Sequence, residues 1–118
     1  MSTLLQDLQT VLRPIASGGA FYQVNDSQPA RFPYIVYARV ISTANVNLQE
    51  RSDLQNTRIQ VDVYSRSLLE AEALADAVDA AMQVGPWQAS VPLSSEDFYD
   101  FEVRVFLIAR DYSIWATN

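Results

Sequence analysis

Apolar residues between Ser2 and Ser17 recur at helical spacing. Leu4, Leu5, Leu8, Val11, Leu12 and Ile15 fall on one side, and Gln6, Asp7, Gln9 and Thr10 on the other. Ser2 or Thr3 is placed to cap this helix. Pro14 lacks an amide hydrogen and disfavours helix at Arg13, so the helix ends or kinks there, with Gly18-Gly19 completing the stop. Residues Ala20 to Val24 read as a short strand. After a turn-rich stretch, Phe32-Pro33-Tyr34-Ile35-Val36-Tyr37-Ala38-Arg39-Val40-Ile41 is a strong strand, with Pro33 fitting its first position. Both faces of that strand are apolar, which predicts cover on both sides.

Residues Ser42 to Asn56 are polar and contain neither Gly nor Pro. The connection is long for two adjacent strands, and such loops tend to carry function. Thr57 to Ser65 alternates: Ile59, Val61 and Val63 point one way, and Arg58, Gln60, Asp62 and Tyr64 the other, as in a half-buried antiparallel strand. Ser67 and Glu70 have capping-box spacing and open a second helix. Its apolar stripe is Leu74, Ala75, Val78, Ala81 and Met82, its wet face is Glu70, Glu72, Asp76 and Asp79, and Gly85-Pro86 ends it. Trp87 to Leu93 reads as a strand interrupted by Pro92, Ser94 to Asp97 as a turn, and Phe98 or Phe101 to about Tyr112 as the last strand.

The order of elements predicts one α+β domain over residues 1–118. It is a mainly antiparallel sheet of about four strands with two helices packed on one face. Tyr37 with Arg39, and Phe106 with Arg104 and Arg110, are assigned to the sheet face opposite the helices. That face is too apolar for water alone, so these five residues form a candidate subunit interface.

Composition narrows the chemistry. The chain has 118 residues and no cysteine or histidine, which excludes disulfides, thiolate nucleophiles and imidazole bases. Fourteen acidic residues face eight basic ones, giving a net charge of -6, and every cation is arginine. An acidic surface argues against wrapping nucleic acid or lying on an anionic membrane. The first apolar run is broken by Gln6, Asp7, Gln9 and Arg13, so it reads as a helix and not as a secretory leader. The only glycines are Gly18, Gly19 and Gly85, so a phosphate-cradling loop is missing. Glu96, Asp97 and Asp100 cluster without calcium-loop spacing and read as solvated surface, as do the helix acids. No catalytic residue, metal ligand or cofactor is therefore predicted. A small enzyme working through carboxylates alone is a distant alternative.

Across nearly its whole length the chain resembles the small phage tail-completion (tail-terminator) proteins. These include minor tail proteins of the lambda gpU type and tail-to-head joining proteins of siphophages. The resemblance lies in the order of the opening helix Leu4-Leu5-Gln6-Asp7-Leu8, then Pro33-Tyr34-Ile35-Val36-Tyr37, then Gln60-Val61-Asp62-Val63-Tyr64. The Ala-rich helix Glu70 to Met82 and the closing strand Arg104 to Trp115 follow. Pro14 and the stretch Trp87 to Asp100 depart from the pattern.

The resemblance implies a homo-oligomer, a hexameric ring. It caps the tail-tube protein, stops its polymerisation and offers a surface to the head–tail connector protein. Such a protein belongs to the virion, at the head-proximal end of the tail, and passes through the host cytoplasm during assembly. DNA would cross the lumen without specific binding, repelled by acidic walls, and no membrane is involved. Within this reading the polar loop, through Asn45, Asn47, Gln49, Glu50, Arg51 and Asp53, is a candidate contact with the lumen or an axial neighbour. The alternative is a non-catalytic oligomeric protein-binding or adaptor domain that forms no ring.

Overall fold

The computed structural model describes residues 3–27, 29–40 and 54–117. Helix α1 spans Leu4–Leu12 and is capped by Thr3. The Thr3 hydroxyl accepts from the Gln6 amide at 3.2 Å, while the Gln6 side chain accepts from the Thr3 amide at 2.8 Å. Two amides that an unclosed helix would leave unpaired are thereby satisfied. Pro14 ends α1 as predicted, by tightening Arg13–Ile15 into a 3-10 turn.

Strand β1 (Ala20–Tyr22) runs parallel to β2 (Tyr34–Arg39), and β2 runs antiparallel to β3 (Leu54–Ser65). The Phe32–Pro33 peptide is cis. Helix α2 spans Leu68–Gln83, and β4 (Ala89–Asp100) and β5 (Val105–Thr117) close the fold as one antiparallel hairpin. The sheet has five strands in the order β1-β2-β3-β5-β4.

The α+β class and the two helices agree with the sequence reading. The sheet is mainly antiparallel, as expected, with five strands against the about four expected and one parallel pair, β1 with β2. The parallel pair arises because residues 23–33 carry the chain back across the sheet end, which a tight hairpin turn cannot do.

The predicted turn at Ser94 to Asp97 lies in the middle of β4. That segment contains no Gly, Asn or Pro to force a turn, and β5 offers it a continuous ladder. Pro92 is absorbed by a register irregularity between Pro92 and Ser94. The reversal falls instead at residues 101–104. There Asp100 Oδ1 accepts from the amides of Glu102 (2.9 Å) and Val103 (3.4 Å), and Arg104 adopts the left-handed region at φ 56°.

Both helices cover the same face. Leu8 and Leu12 of α1, with Ala71, Ala75, Val78 and Met82 of α2, meet Ile35, Ile59, Val61, Val63, Ile108 and Ile114 of the sheet in one buried cluster. The alanines let α2 approach the strands closely. At the α2 entry the Ser67 hydroxyl accepts from the Glu70 amide. Glu70 does not complete the reciprocal arm of the capping box. Its carboxylate accepts from the fully buried hydroxyl of Ser65 at 2.6 Å, which locks the end of β3 to the start of α2. Trp87 folds back under α2, its indole donating to the Met82 carbonyl at 2.9 Å.

Gly18 marks the tightest packing between backbone segments. Its amide donates to the Pro33 carbonyl at 2.8 Å, and a β-carbon there would lie 1.8 Å from the Arg31 carbonyl oxygen. Backbone on both sides leaves no side chain to move aside. Gly18→Ala is therefore expected to destabilise the fold by about 1–3 kcal/mol, read as a lowered Tm and urea midpoint. An unchanged midpoint would show that the turn is not packed as described.

Candidate interaction surface

Strand alternation gives the sheet a second face that neither helix touches. Along β2 and β3 it presents Tyr34, Val36 and Ala38 beside Arg58, Gln60, Asp62 and Tyr64. Along β5 and β4 it presents Val105, Leu107, Ala109 and Asp111 beside Ser94, Glu96, Phe98 and Asp100. The face divides into two halves of different chemistry.

The half nearest the β4–β5 turn is aromatic. Tyr34 and Tyr64, direct cross-strand partners, stack at 4.7 Å with 14° between ring planes. Phe32 tilts against Tyr34 at 5.2 Å, and the Arg66 guanidinium sits 4.6 Å over the Phe32 ring. With Phe98, Val105, Leu107 and the turn residues these rings line a hollow of about 1060 Å³. The turn itself is apolar and protruding: Phe101 is 83% exposed and Val103 56%. Burial pushes the hydroxyls of Tyr34 and Tyr64 above the ordinary tyrosine range, and for Tyr64 the neighbouring Asp62 adds to the effect.

The other half is polar and acidic. Asp111 forms an ion pair with Arg58 at 3.0 Å and accepts from the Ser94 hydroxyl at 3.3 Å. Asp62 accepts from the Gln60 amide at 2.9 Å. Its pKa is raised, first by burial and then by the charge of Asp111, against the opposing effect of the Gln60 hydrogen bond. Such a carboxylate is held ionised at a cost to the subunit's own stability.

The five residues predicted as an interface do not form one patch. Tyr37 lies under α1, nearly fully buried, its hydroxyl donating to Gln9 Oε1 at 2.7 Å. Gln9 in turn donates to the Ala20 carbonyl at 3.1 Å, so the pair ties α1 to β1 and β2. Arg39 is exposed at the end of β2, and Arg104 is exposed in the β4–β5 turn. Phe106 is half-buried on the helix side, 4.6 Å from the Tyr99 ring. Arg110 is also on the helix side. It donates to the Ala75 carbonyl at 3.1 Å and forms ion pairs with Asp79 and, at 3.6 Å, Asp76.

The assignment of Tyr37, Phe106 and Arg110 to the uncovered face is therefore reversed. Both faces of β2 and β5 are apolar, so alternation alone cannot say which one meets the helices. Asp79, read as part of the wet face of α2, turns to the sheet, where Arg110 and the buried Tyr112 hydroxyl both donate to it. Burial, then the hydrogen bond to Asp79 and its charge, push the Tyr112 pKa far above the usual range.

The residues that sequence reasoning missed are Tyr34, Tyr64, Phe98 and Leu107. The available signal was the odd-even partner of the well-read β3 stripe: Tyr64 stands opposite in phase to Val63. The loop residues Asn45, Asn47, Gln49, Glu50, Arg51 and Asp53 lie outside the described residues. Among the described residues no group of three or more acidic side chains is placed to hold a metal ion, and no helix is long and apolar enough to cross a membrane. Glu96 and Asp97 point to opposite faces of β4, and Asp100 is engaged by the turn. The surface as a whole combines aromatic rings, a guanidinium laid over one of them and a polar border.

Residues 6–117 match the family described as Tail completion protein gp17. Among solved structures, a chain of the "Virion of native gene transfer agent (GTA) particle" superposes with a TM-score of 0.67. It is 16% identical, and the match covers 97% of this chain and 91% of that chain. At that identity the likeness is one of fold. No curated protein matches the chain in sequence.

The raised pKa of Asp62 gives a signed expectation. The carboxyl is neutral in both folded and unfolded chains at low pH, where it costs nothing. Its penalty appears as pH rises through the unfolded and then the folded pKa, and it is complete at neutral pH. Asp62→Asn should therefore raise Tm at pH 7 and leave it unchanged at pH 3. A gain of equal size at both pH values would contradict the burial of this charge.

Proposed function

The chain belongs to the tail completion protein gp17 family, and on that premise we propose that it is a structural, non-catalytic terminator of a phage or prophage tail. In this reading six copies form a ring on the last turn of tail-tube protein. The ring stops tube polymerisation and presents a surface to the head–tail connector protein.

The observation that carries the reading beyond family membership is the uncovered sheet face, where a hollow of about 1060 Å³ lined by Phe32, Tyr34, Tyr64 and Phe98 has no cover from the chain's own helices. Large apolar surfaces of this kind serve protein contacts. The subunit measures 48 × 26 × 24 Å, and six equal bodies around an axis enclose an opening as wide as one body. That leaves room for a DNA duplex. A subunit charge of -6 makes a ring strongly acidic, which favours DNA sliding past without adhering. A heterologous ring also needs two different patches on each subunit.

The test uses a tail-tube protein from the genome that encodes this chain. Negative-stain images of tubes assembled with the protein should show ring-capped ends and a narrow length distribution. Tubes assembled without it should be open and of variable length. Deleting most of residues 42–53, ahead of β3, should leave the far-ultraviolet circular dichroism and Tm intact while abolishing capping. Uncapped tubes in the presence of folded wild-type protein would overturn the reading. Capping by the deletion variant would remove the loop from it.

A further inference from the structure

The strand order puts β1 and β4 at opposite edges of the sheet, and the two edges differ in charge. On one side lie β4 and α2. They contain Glu70, Glu72, Asp76, Asp79, Glu96, Asp97 and Asp100 and not one arginine. Only Asp76 and Asp79 among these are met by a cation, Arg110, within the described residues. On the other side lie α1, β1, β2 and the turns between them. There the exposed Arg13, Arg31 and Arg39 outnumber Asp7 and Asp26. None of these three arginines forms an ion pair among the described residues. A chain whose overall charge is -6 thus carries nearly all of its excess on one flank.

The acidic flank is also the one least complete as a sheet. β4 is 12 residues long, and all but Ser90 are exposed. Among the described residues no strand pairs with its outer edge. Val91, Leu93, Phe98 and Tyr99 on β4, with Phe101 and Val103 in the turn that follows, account for most of the exposed large apolar side chains. A long edge with unpaired backbone groups and apolar side chains is a template for association. Charge decides what can pair with it. β4 carries Glu96, Asp97 and Asp100 and no cation, so a carboxylate-rich partner strand, a second β4 included, would gather like charge along the shared edge. A partner presenting arginine is favoured.

We infer that the protein associates head to tail with a second copy of itself, the acidic β4 edge, with the acids of α2 behind it, meeting the arginine-bearing flank of α1, β1 and β2. β1 offers only three residues of strand, so side chains and charge carry the contact and a long shared ladder does not. Such a contact is heterologous, uses both flanks of every copy and propagates until the rotation closes it. The inference rests on the oligomeric ring of the proposed function and specifies which surfaces make it.

Charge reversal tests it, read as the fraction of tail-tube ends carrying a ring in negative-stain images. Glu96→Arg with Asp97→Arg on one flank, or Arg13→Glu with Arg31→Glu on the other, should each lower ring occupancy at least about tenfold at fixed protein concentration. The chain carrying all four reversals should recover it, because complementarity is restored. All the sites are exposed, and circular dichroism checks that each variant folds. Because the chain has no cysteine, orientation can be read directly. A Ser17→Cys protein mixed with a Leu93→Cys protein on tubes should cross-link to each other under oxidant in preference to their own kind.

Rings that persist unchanged in both reversed pairs would overturn the edge assignment and leave the terminator reading standing, as would Leu93→Cys homodimers alone. Failure of the quadruple variant to recover while it stays folded would also overturn it. The absence of rings with wild-type protein sinks the terminator reading, and this inference with it.

Discussion

Two helices, 9 and 16 residues long, lie on a sheet of five strands, and together they can cover only one of its faces. Much else in the molecule follows from that shortage of cover. Ile59, Val61, Val63 and their neighbours on β2 and β5 are dry because α1 and α2 reach them. Arg58, Gln60, Asp62 and Tyr64, one residue out of phase, receive no such protection. The uncovered face manages its exposure in two ways. Near the β4–β5 turn the rings of Phe32, Tyr34 and Tyr64 cover one another, with Arg66 laid over the outermost. Further along, Arg58, Asp111, Ser94, Gln60 and Asp62 form a hydrogen-bonded polar field. Exposed ion pairs of this kind contribute at most about 1 kcal/mol each. The polar field therefore keeps that half soluble more than it stabilises the fold.

The covered face contains a polar device of its own. Asp79 of α2 accepts from both Arg110 and Tyr112 of β5, and Arg110 also reaches the Ala75 carbonyl and, through Nε, the Ser95 hydroxyl of β4 at 3.2 Å. Three elements are joined through one guanidinium. Partly buried charge is a poor source of net stability, since desolvation offsets much of the attraction. Its value here is geometric. The many alanines of α2 would allow the helix to slide, because small apolar side chains interlock weakly, and the directional bonds to Asp79 remove that freedom. At the other helix Gln9 does the corresponding work, joining Tyr37 of β2 to the Ala20 carbonyl of β1.

Legibility in the sequence tracked how strongly each segment commits to one periodicity. β3 alternates with a polar residue at every second position, so its inward stripe could be read without error. α1 and α2 carry caps, stripes and stop signals that fix their extents, and only the Glu70 arm of the capping box and the facing of Asp79 differ from the reading. β2 and β5 are apolar on both faces, so the period was visible but its phase was not. Tyr37, Phe106 and Arg110 were consequently placed on the wrong side. β4 hid for the opposite reason. An edge strand exposed on both faces has no apolar stripe at all, and Ser94-Ser95-Glu96-Asp97 looks like a loop to any test based on burial. The true reversal was masked by Phe101 and Val103, which are apolar because they protrude at the tip and not because they fill a core. The parallel pairing of β1 depends on the path of residues 23–33, which no local pattern encodes. The same failures explain why the contact surface was only half legible: its existence follows from excess apolar sheet, but its membership depends on strand phase.

The segments hardest to read are the ones with the least to do for the fold. β4 buries almost nothing, its turn exposes Phe101, and Asp62 is held charged where burial penalises it. A monomer shaped only for its own stability would shorten the hairpin, place a polar residue at the tip and neutralise Asp62. Each of these features becomes less costly only when something else supplies contacts or charge. The flanking distribution of arginine against carboxylate offers such a supply to the β4 edge.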